Sequence, residues 1–420
     1  MKLRALALPI LAASCLLSSP VAWGEAAYQF VPKFLTPPEG RETLGSGHGE
    51  IQVDSAGKIY VSVEGQEGGI QVYGPDGKYL RTLPLPSGLH GFSIRKVAGE
   101  EFIIAAVLGQ QRVIKASLAG EVLMEIPTSA FPAEIADRIS ITLKDGRLVQ
   151  GHSPVTEGDQ ISVTLPNGRV EQVDRKEIAR KAVVMLADGK KVEGMNPEVT
   201  ESSITLKVGA AMQTISLSSV ANKGGKPAIV ESAAEKRDGL KLTSADVAPN
   251  GDIYVVDGYG TSWIFVFDSK GQFKRKFGGP GEPFGLSNCH KVHVDNRFEP
   301  ARLFLCDRGN KRIMHASLEG ELIGVIAAGL RNPSSASFHG ELVCIAEIAG
   351  RVSVWDKEGK LVAELGVNNT PGQTNTPGVA PADWRDDVVT SPHGITFDGS
   401  GNILETEWNK YGRVLRWDRK

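Results

Sequence analysis

Short runs of alternating apolar and polar residues fill most of the chain, grouped in threes and fours between turn residues. One group reads Val247-Ala-Pro-Asn-Gly-Asp-Ile-Tyr-Val-Val-Asp257, then Trp263-Ile-Phe-Val-Phe-Asp268, then Phe273-Lys-Arg-Lys-Phe277. The same pattern returns in His393-Gly-Ile-Thr-Phe-Asp398, Ile403-Leu-Glu-Thr-Glu407 and Arg413-Val-Leu-Arg-Trp-Asp418, and further copies begin near Gly49, His90, His290 and Asn332. A period of two marks half-buried strands, and the Asp-Gly, Ala-Gly and Glu-Gly pairs between them favour tight hairpins. Four short strands in about 40 residues is the signature of a propeller blade. The copies predict an all-β, six-bladed β-propeller. The last copy ends after its third strand, whereas Tyr28-Gln-Phe-Val-Pro-Lys-Phe-Leu35 precedes the first. That leading strand is expected to complete the sixth blade, which removes an exposed sheet edge.

Two segments break the repeat. Residues 127–236 have a different character and contain a tandem duplication. Leu143-Lys-Asp-Gly-Arg-Leu-Val-Gln-Gly151 recurs as Leu186-Ala-Asp-Gly-Lys-Lys-Val-Glu-Gly194, and Ile161-Ser-Val-Thr-Leu165 recurs as Ser203-Ile-Thr-Leu206. Each copy resembles a small Sm-like or SH3-like half-barrel. The expected organisation is therefore a closing strand and blades 1–2 over 25–126, an inserted Sm/SH3-like β module over 127–236, and blades 3–6 over 237–420. The insertion reads as a docking module for a protein partner, as a lid, or as plain elaboration. The second segment, 367–392, is rich in Asn, Thr, Pro and Gly and delivers the chain to His393. Long loops inside regular folds tend to be functional, and this one reads as a flap over the funnel mouth.

Composition refines the picture without changing it. Forty-eight glycines and 23 prolines in 420 residues suit a turn-dense β chain, and the net charge of -2 gives no reason to expect a nucleic acid or an anionic membrane surface as partner. The chain opens Met1-Lys-Leu-Arg4, continues apolar to Leu17 and reaches small residues at Ala22-Trp-Gly24. This predicts a secretory leader over 1–24 and a periplasmic or secreted protein; no other stretch approaches a membrane span. Cys15 falls in the leader. Of Cys289, Cys306 and Cys344, the first two sit on adjacent strands, where either a bridge or two buried free thiols is expected.

Candidate chemistry comes from one register of the repeat. His90, His290 and His393 each stand five residues ahead of Arg95, Asp295 or Asp398, in the second, fourth and sixth copies. In the other copies that position holds Gly49, Thr243 and Asn332, and His48 lies one residue off it. A closed ring brings three alternate imidazoles together at the mouth of the funnel. Three neutral imidazoles with an open fourth position suit Zn²⁺. The plain structural alternative is that each imidazole simply bonds a neighbouring carbonyl. The hairpins after the second strands reach the same mouth with Glu64, Asp257, Tyr259, Asp307, Arg308, Glu347 and Glu407. A phenol beside a cation can act as a base, and an arginine can clamp a carboxylate. Asp257 and Asp307 are expected only to tie their own turns.

The stretch from Val255 to Gly278, followed by Cys289-His290 and Leu305-Cys-Asp-Arg-Gly-Asn310, resembles the lyase domain of the peptidylglycine α-amidating enzymes. The likeness covers roughly three quarters of the chain and omits the insertion. It implies an NHL-type propeller with Zn²⁺ on His90, His290 and His393, a catalytic tyrosine at Tyr259 and a substrate arginine at Arg308. The implied reaction splits a peptidyl-α-hydroxyglycine into peptide amide and glyoxylate. Three positions depart from that pattern: Glu64 stands where the family has an essential arginine, Gly260 replaces a cysteine, and Ser391 replaces a methionine. A carboxylate cannot do the work of a guanidinium toward an anionic substrate, so the substrate is expected to differ, being hydroxylated or ester-like, with Arg308 or Glu64 orienting it. Two functions follow: a zinc lyase acting on a peptide or small molecule at the funnel mouth, or a non-catalytic propeller that binds a protein or glycan.

Overall fold

A computed structural model describes residues 27–65, 68–223 and 226–420. The leader expected over 1–24 lies outside the described residues. The architecture is all-β, with repeated four-stranded antiparallel sheets consistent with a β-propeller. Six such sheets are formed by residues 51–83, 89–126, 244–278, 289–328, 333–365 and 392–419. Their innermost strands are Ile51–Val53, Leu89–Val97, Ser244–Val247, Cys289–Asp295, Pro333–His339 and Pro392–Phe397. Each touches the next in that order, and the last returns to the first. Closure is in sequence as well as in space: Tyr28–Val31 pairs antiparallel with Val414–Arg419 as the fourth strand of the sixth sheet.

The period of two explains the packing. Along each strand one set of side chains enters the layer between neighbouring sheets, as with Phe304, Cys306 and Ile313 of the fourth sheet against Ala336, Val343 and Ile345 of the fifth. Each fully buried large apolar side chain in these layers contributes about 1.5–3 kcal/mol. Cys289, Cys306 and Cys344 belong to this packing, each as a buried free thiol.

Alternation fails at one place, and the failure positions the site. The pairing of first and second strands slips by a residue at His90, His290, Ser334 and His393. A bulge leaves one extra residue unpaired and re-aims its side chain, so these strands turn two successive residues toward the axis. Glycine follows where the axis has no room. A Cβ on Gly91 would lie 2.2 Å from the Thr243 carbonyl oxygen, and one on Gly394 2.6 Å from the Glu50 Cα.

In the fourth sheet the residue after the bulge is Lys291, and it fills the centre instead. Its ammonium pairs with the Glu50 carboxylate across the axis, from the fourth sheet to the first. Ser335 Oγ donates to the same carboxylate at 2.8 Å and Lys291 Nζ donates to the Phe92 carbonyl at 3.2 Å.

The inserted segment forms two five-stranded sheets and a small two-stranded sheet. The copies match in detail: each has a bulge in its long strand, between His152 and Val155 and between Met195 and Glu198. The fifth strands, Glu235–Gly239 for the first sheet and Ile229–Ala233 for the second, come from the returning chain. Phe131, Ile135 and Ala136, just before the first copy, pack into the core between the second and third propeller sheets. Residues 367–391 form turns stitched onto the last hairpin, with Asn409 Nδ2 donating to Val379 O at 3.0 Å and Arg413 to Arg385 O at 2.7 Å.

Candidate metal centre

The bulges carry His90, His290 and His393 to one end of the channel, where their ring centroids stand 4.8–4.9 Å apart. Each ring is about 2% exposed. Each uses Nδ1 in the same way. His90 Nδ1 bonds Thr243 O at 2.9 Å, His290 Nδ1 bonds Ser334 O at 2.6 Å, and His393 Nδ1 bonds Gly49 O at 2.8 Å. A carbonyl can only accept, so Nδ1 carries the proton and Nε2 is left as a lone pair. Burial pushes all three imidazoles well below their usual pKa, which keeps them neutral. The acceptors come from the alternate sheets. In the fifth sheet the acceptor is the bulged residue Ser334, two positions beyond the expected Asn332, because Ser334 is the residue that shares the bulge position of His90, His290 and His393.

The Tyr259 hydroxyl reaches this cluster from the third sheet's hairpin. It lies 3.1 Å from His90 Nε2, 3.0 Å from His290 Nε2 and 3.3 Å from His48 Nε2. Arg308 donates to its oxygen at 3.3 Å. The hydroxyl has one proton, which satisfies one imidazole lone pair at a time. His393 Nε2 is buried and has no partner. Neutral lone pairs crowded in a dry site are costly unless a cation or donor meets them.

His48 enters from the loop before the first sheet. Its ring is 4.9 Å from that of His90 and 4.8 Å from that of His393, with Trp408 packed beside it at 5.2 Å. Candidate ligand nitrogens of His48, His90 and His393 fall within 4.8 Å of one another, so this cluster could hold a metal ion. Burial, then the Arg308 charge, lowers the His48 pKa to about 4. Glu64 stands 3.8 Å from His48 Nδ1 and accepts from Ser46 Oγ at 3.5 Å, with burial raising its pKa. Burial likewise raises the Tyr259 phenol, opposed by Arg308. Periodicity could flag the three bulged histidines but not His48, which is off register and is brought in by a loop.

The aspartates behave as structural groups. Asp257 accepts from Lys241 N at 2.6 Å and Thr261 N at 2.7 Å, and Asp307 holds Arg312 at 2.6 Å and Asn310 at 2.8 Å. Glu347 binds Arg351, and Glu407 binds Thr390. None of these is spare for a ligand.

Fold and site together define a propeller-like ring with a buried histidine cluster fit for a metal. No protein-family model matches the chain. Among solved structures it is similar to a streptogramin B lyase, with a TM-score of 0.47 and 12% identity over 95% of this chain and 99% of that one. It is also similar to the virginiamycin B lyase from Staphylococcus aureus, with a TM-score of 0.43 and 14% identity over 94% and 99%. Likenesses this remote bear on neither substrate nor activity.

Proposed function

We propose that the chain is a periplasmic or secreted six-bladed, NHL-type propeller enzyme with Zn²⁺ held by His90, His290 and His393, acting as a lyase on hydroxylated peptide-like substrates. One observation carries this reading: three Nδ1–carbonyl bonds set three neutral imidazoles with their Nε2 lone pairs unprotonated in one buried place, and one of those nitrogens has no partner. Zinc supplies Lewis-acid polarisation of a substrate oxygen and charge that favours a nearby phenolate.

The protein's own groups do the rest. Tyr259, as phenolate, is the base: it takes the proton of the substrate's α-hydroxyl as the glyoxylate carbonyl forms and the C–N bond breaks, and it passes that proton to the departing amide nitrogen. Arg308, already bonded to the Tyr259 oxygen, stabilises the phenolate and meets the substrate carboxylate. Trp408 and burial keep bulk water from the imidazoles. Glu64, replacing the expected arginine, favours a substrate with hydroxyl or amide donors at that edge. The same substitution supports a second reading, a zinc-holding propeller that binds a peptide and does not turn it over. The inserted module serves in either case as a docking unit of Sm/SH3-like form.

The test supplies zinc-loaded protein with N-acyl-α-hydroxyglycines and follows amide and glyoxylate release. Turnover that falls about 10²–10⁴-fold in Tyr259→Phe supports the lyase. Zinc-loaded protein that binds these compounds without turnover supports the second reading.

A further inference from the structure

The far end of the channel holds a second cavity, separate from the histidine cluster. Along the inner strands, Gln52, His293 and Ser337 each follow by two residues the members of the central Glu50–Lys291–Ser335 network. A period of two makes them the next inward layer. The cavity they line measures about 500 Å³ and also exposes Arg95, Arg297 and Phe338. This is ample for a small ligand. The ion pair on the axis lies between the two sites.

The charges in this cavity are already matched. Arg95 grips Asp246 with Nε at 2.7 Å and NH2 at 2.7 Å, and Arg297 grips Asp295 with Nε at 2.9 Å and NH2 at 2.7 Å. An anion therefore finds no uncompensated cation. Two neutral groups, in contrast, are left over. His293 and Gln52 are 2% and 6% exposed, and the Nε2 of each is buried without a partner. His293 Nδ1 sits 3.3 Å from Arg95 NH2 and 3.4 Å from Asp246 Oδ2, so either tautomer finds a partner there. Nε2 is then a donor in one tautomer and an acceptor in the other. A hydroxyl answers both, whereas a carboxylate answers only the first. The Gln52 amide asks for an acceptor oxygen. Phe338, with Arg297 stacked 4.7 Å from its centroid, adds an apolar surface for C–H groups.

We infer that this cavity is a second binding site for a neutral, polyhydroxylated ligand of mono- to disaccharide size. It recognises hydroxyls through Gln52 and His293 and does not depend on the metal.

The test titrates the full mature protein with glucose, N-acetylglucosamine and maltose, and in parallel with inorganic phosphate and acetate, by calorimetry and ligand-observed NMR. Saturable binding of at least one neutral sugar at millimolar concentration or tighter is expected. It should weaken tenfold or more in Gln52→Leu and in Asn296→Trp, the latter filling the cavity from an exposed rim position. A thermal melt checks that both variants are folded, and Asn296→Trp decides the matter if Gln52→Leu is not. Binding of anions alone, binding unchanged in the folded variants, or no sugar binding overturns the assignment.

Discussion

Both the ring and the inserted module are built by repetition, but they use their interiors differently. In the two copies of the insertion the buried side chains are apolar, such as Ile139, Ile161 and Val163 in one and Ala182, Ile204 and Leu206 in the other. Their charges lie outside, in exposed pairs such as Lys181–Glu193 at 2.9 Å. Among the described residues, every charged or histidine side chain buried to under a tenth belongs to the propeller sheets or the loops joining them. The ring pays for these groups with bulges, glycines and cross-axis bonds. Repetition alone gives a stable frame; chemistry sits where the repeat is broken.

The contrast predicts where each region fails. Lys291→Met leaves the Glu50 carboxylate buried without its cation, so the ring should lose about 3–5 kcal/mol. A urea melt reads this; a loss below about 1 kcal/mol would show that Glu50 simply takes up a proton. In the insertion, Ile204→Ala removes a fully buried apolar side chain and should cost about 2–4 kcal/mol. Hydrogen exchange should rise in the inserted sheets while the six propeller sheets keep their protection. Exchange rising equally in both would mean the two regions unfold as one.

Glu405 is fully buried beside the Glu407 carboxylate. Burial raises its pKa well above the ordinary 4.5. The folded chain keeps the proton while the unfolded chain releases it, so stability falls as pH rises above about 4.5. Glu405→Gln, which resembles the protonated acid, should gain on the wild type by at most about 1.4 kcal/mol per pH unit from pH 5 upward. Parallel stability curves for the two proteins would contradict it. The smallest effect is expected on the surface: Lys181→Ala should change stability by no more than about 0.5 kcal/mol.

Much of this division is legible in the sequence. Strand alternation and Asp-Gly turns reveal the repeats, and the missing last strand of the final copy points to Tyr28–Val31 as its completion. The duplicated Asp-Gly segments reveal the paired sheets of the insertion. His90, His290 and His393 stand out by register. The bulges do not, because they depend on how a strand pairs and not on its own pattern. Strict alternation would hide either His290 or Lys291 from the axis, yet both face it. The Glu50–Lys291 pair joins residues 241 positions apart, and nothing local in either sequence announces the other. His48 is similar: its loop conformation, not its place in the repeat, brings it against His90 and His393.

We propose that the histidine-bearing bulges of the second, fourth and sixth sheets build a zinc site. The decisive measurement is the metal content of the purified protein, after zinc is supplied and excess removed, beside a His90→Ala/His290→Ala variant. About one zinc per chain is expected in the wild type and none in a variant that still melts cooperatively. Wild-type protein that retains no metal, or a variant that retains it fully, would contradict it.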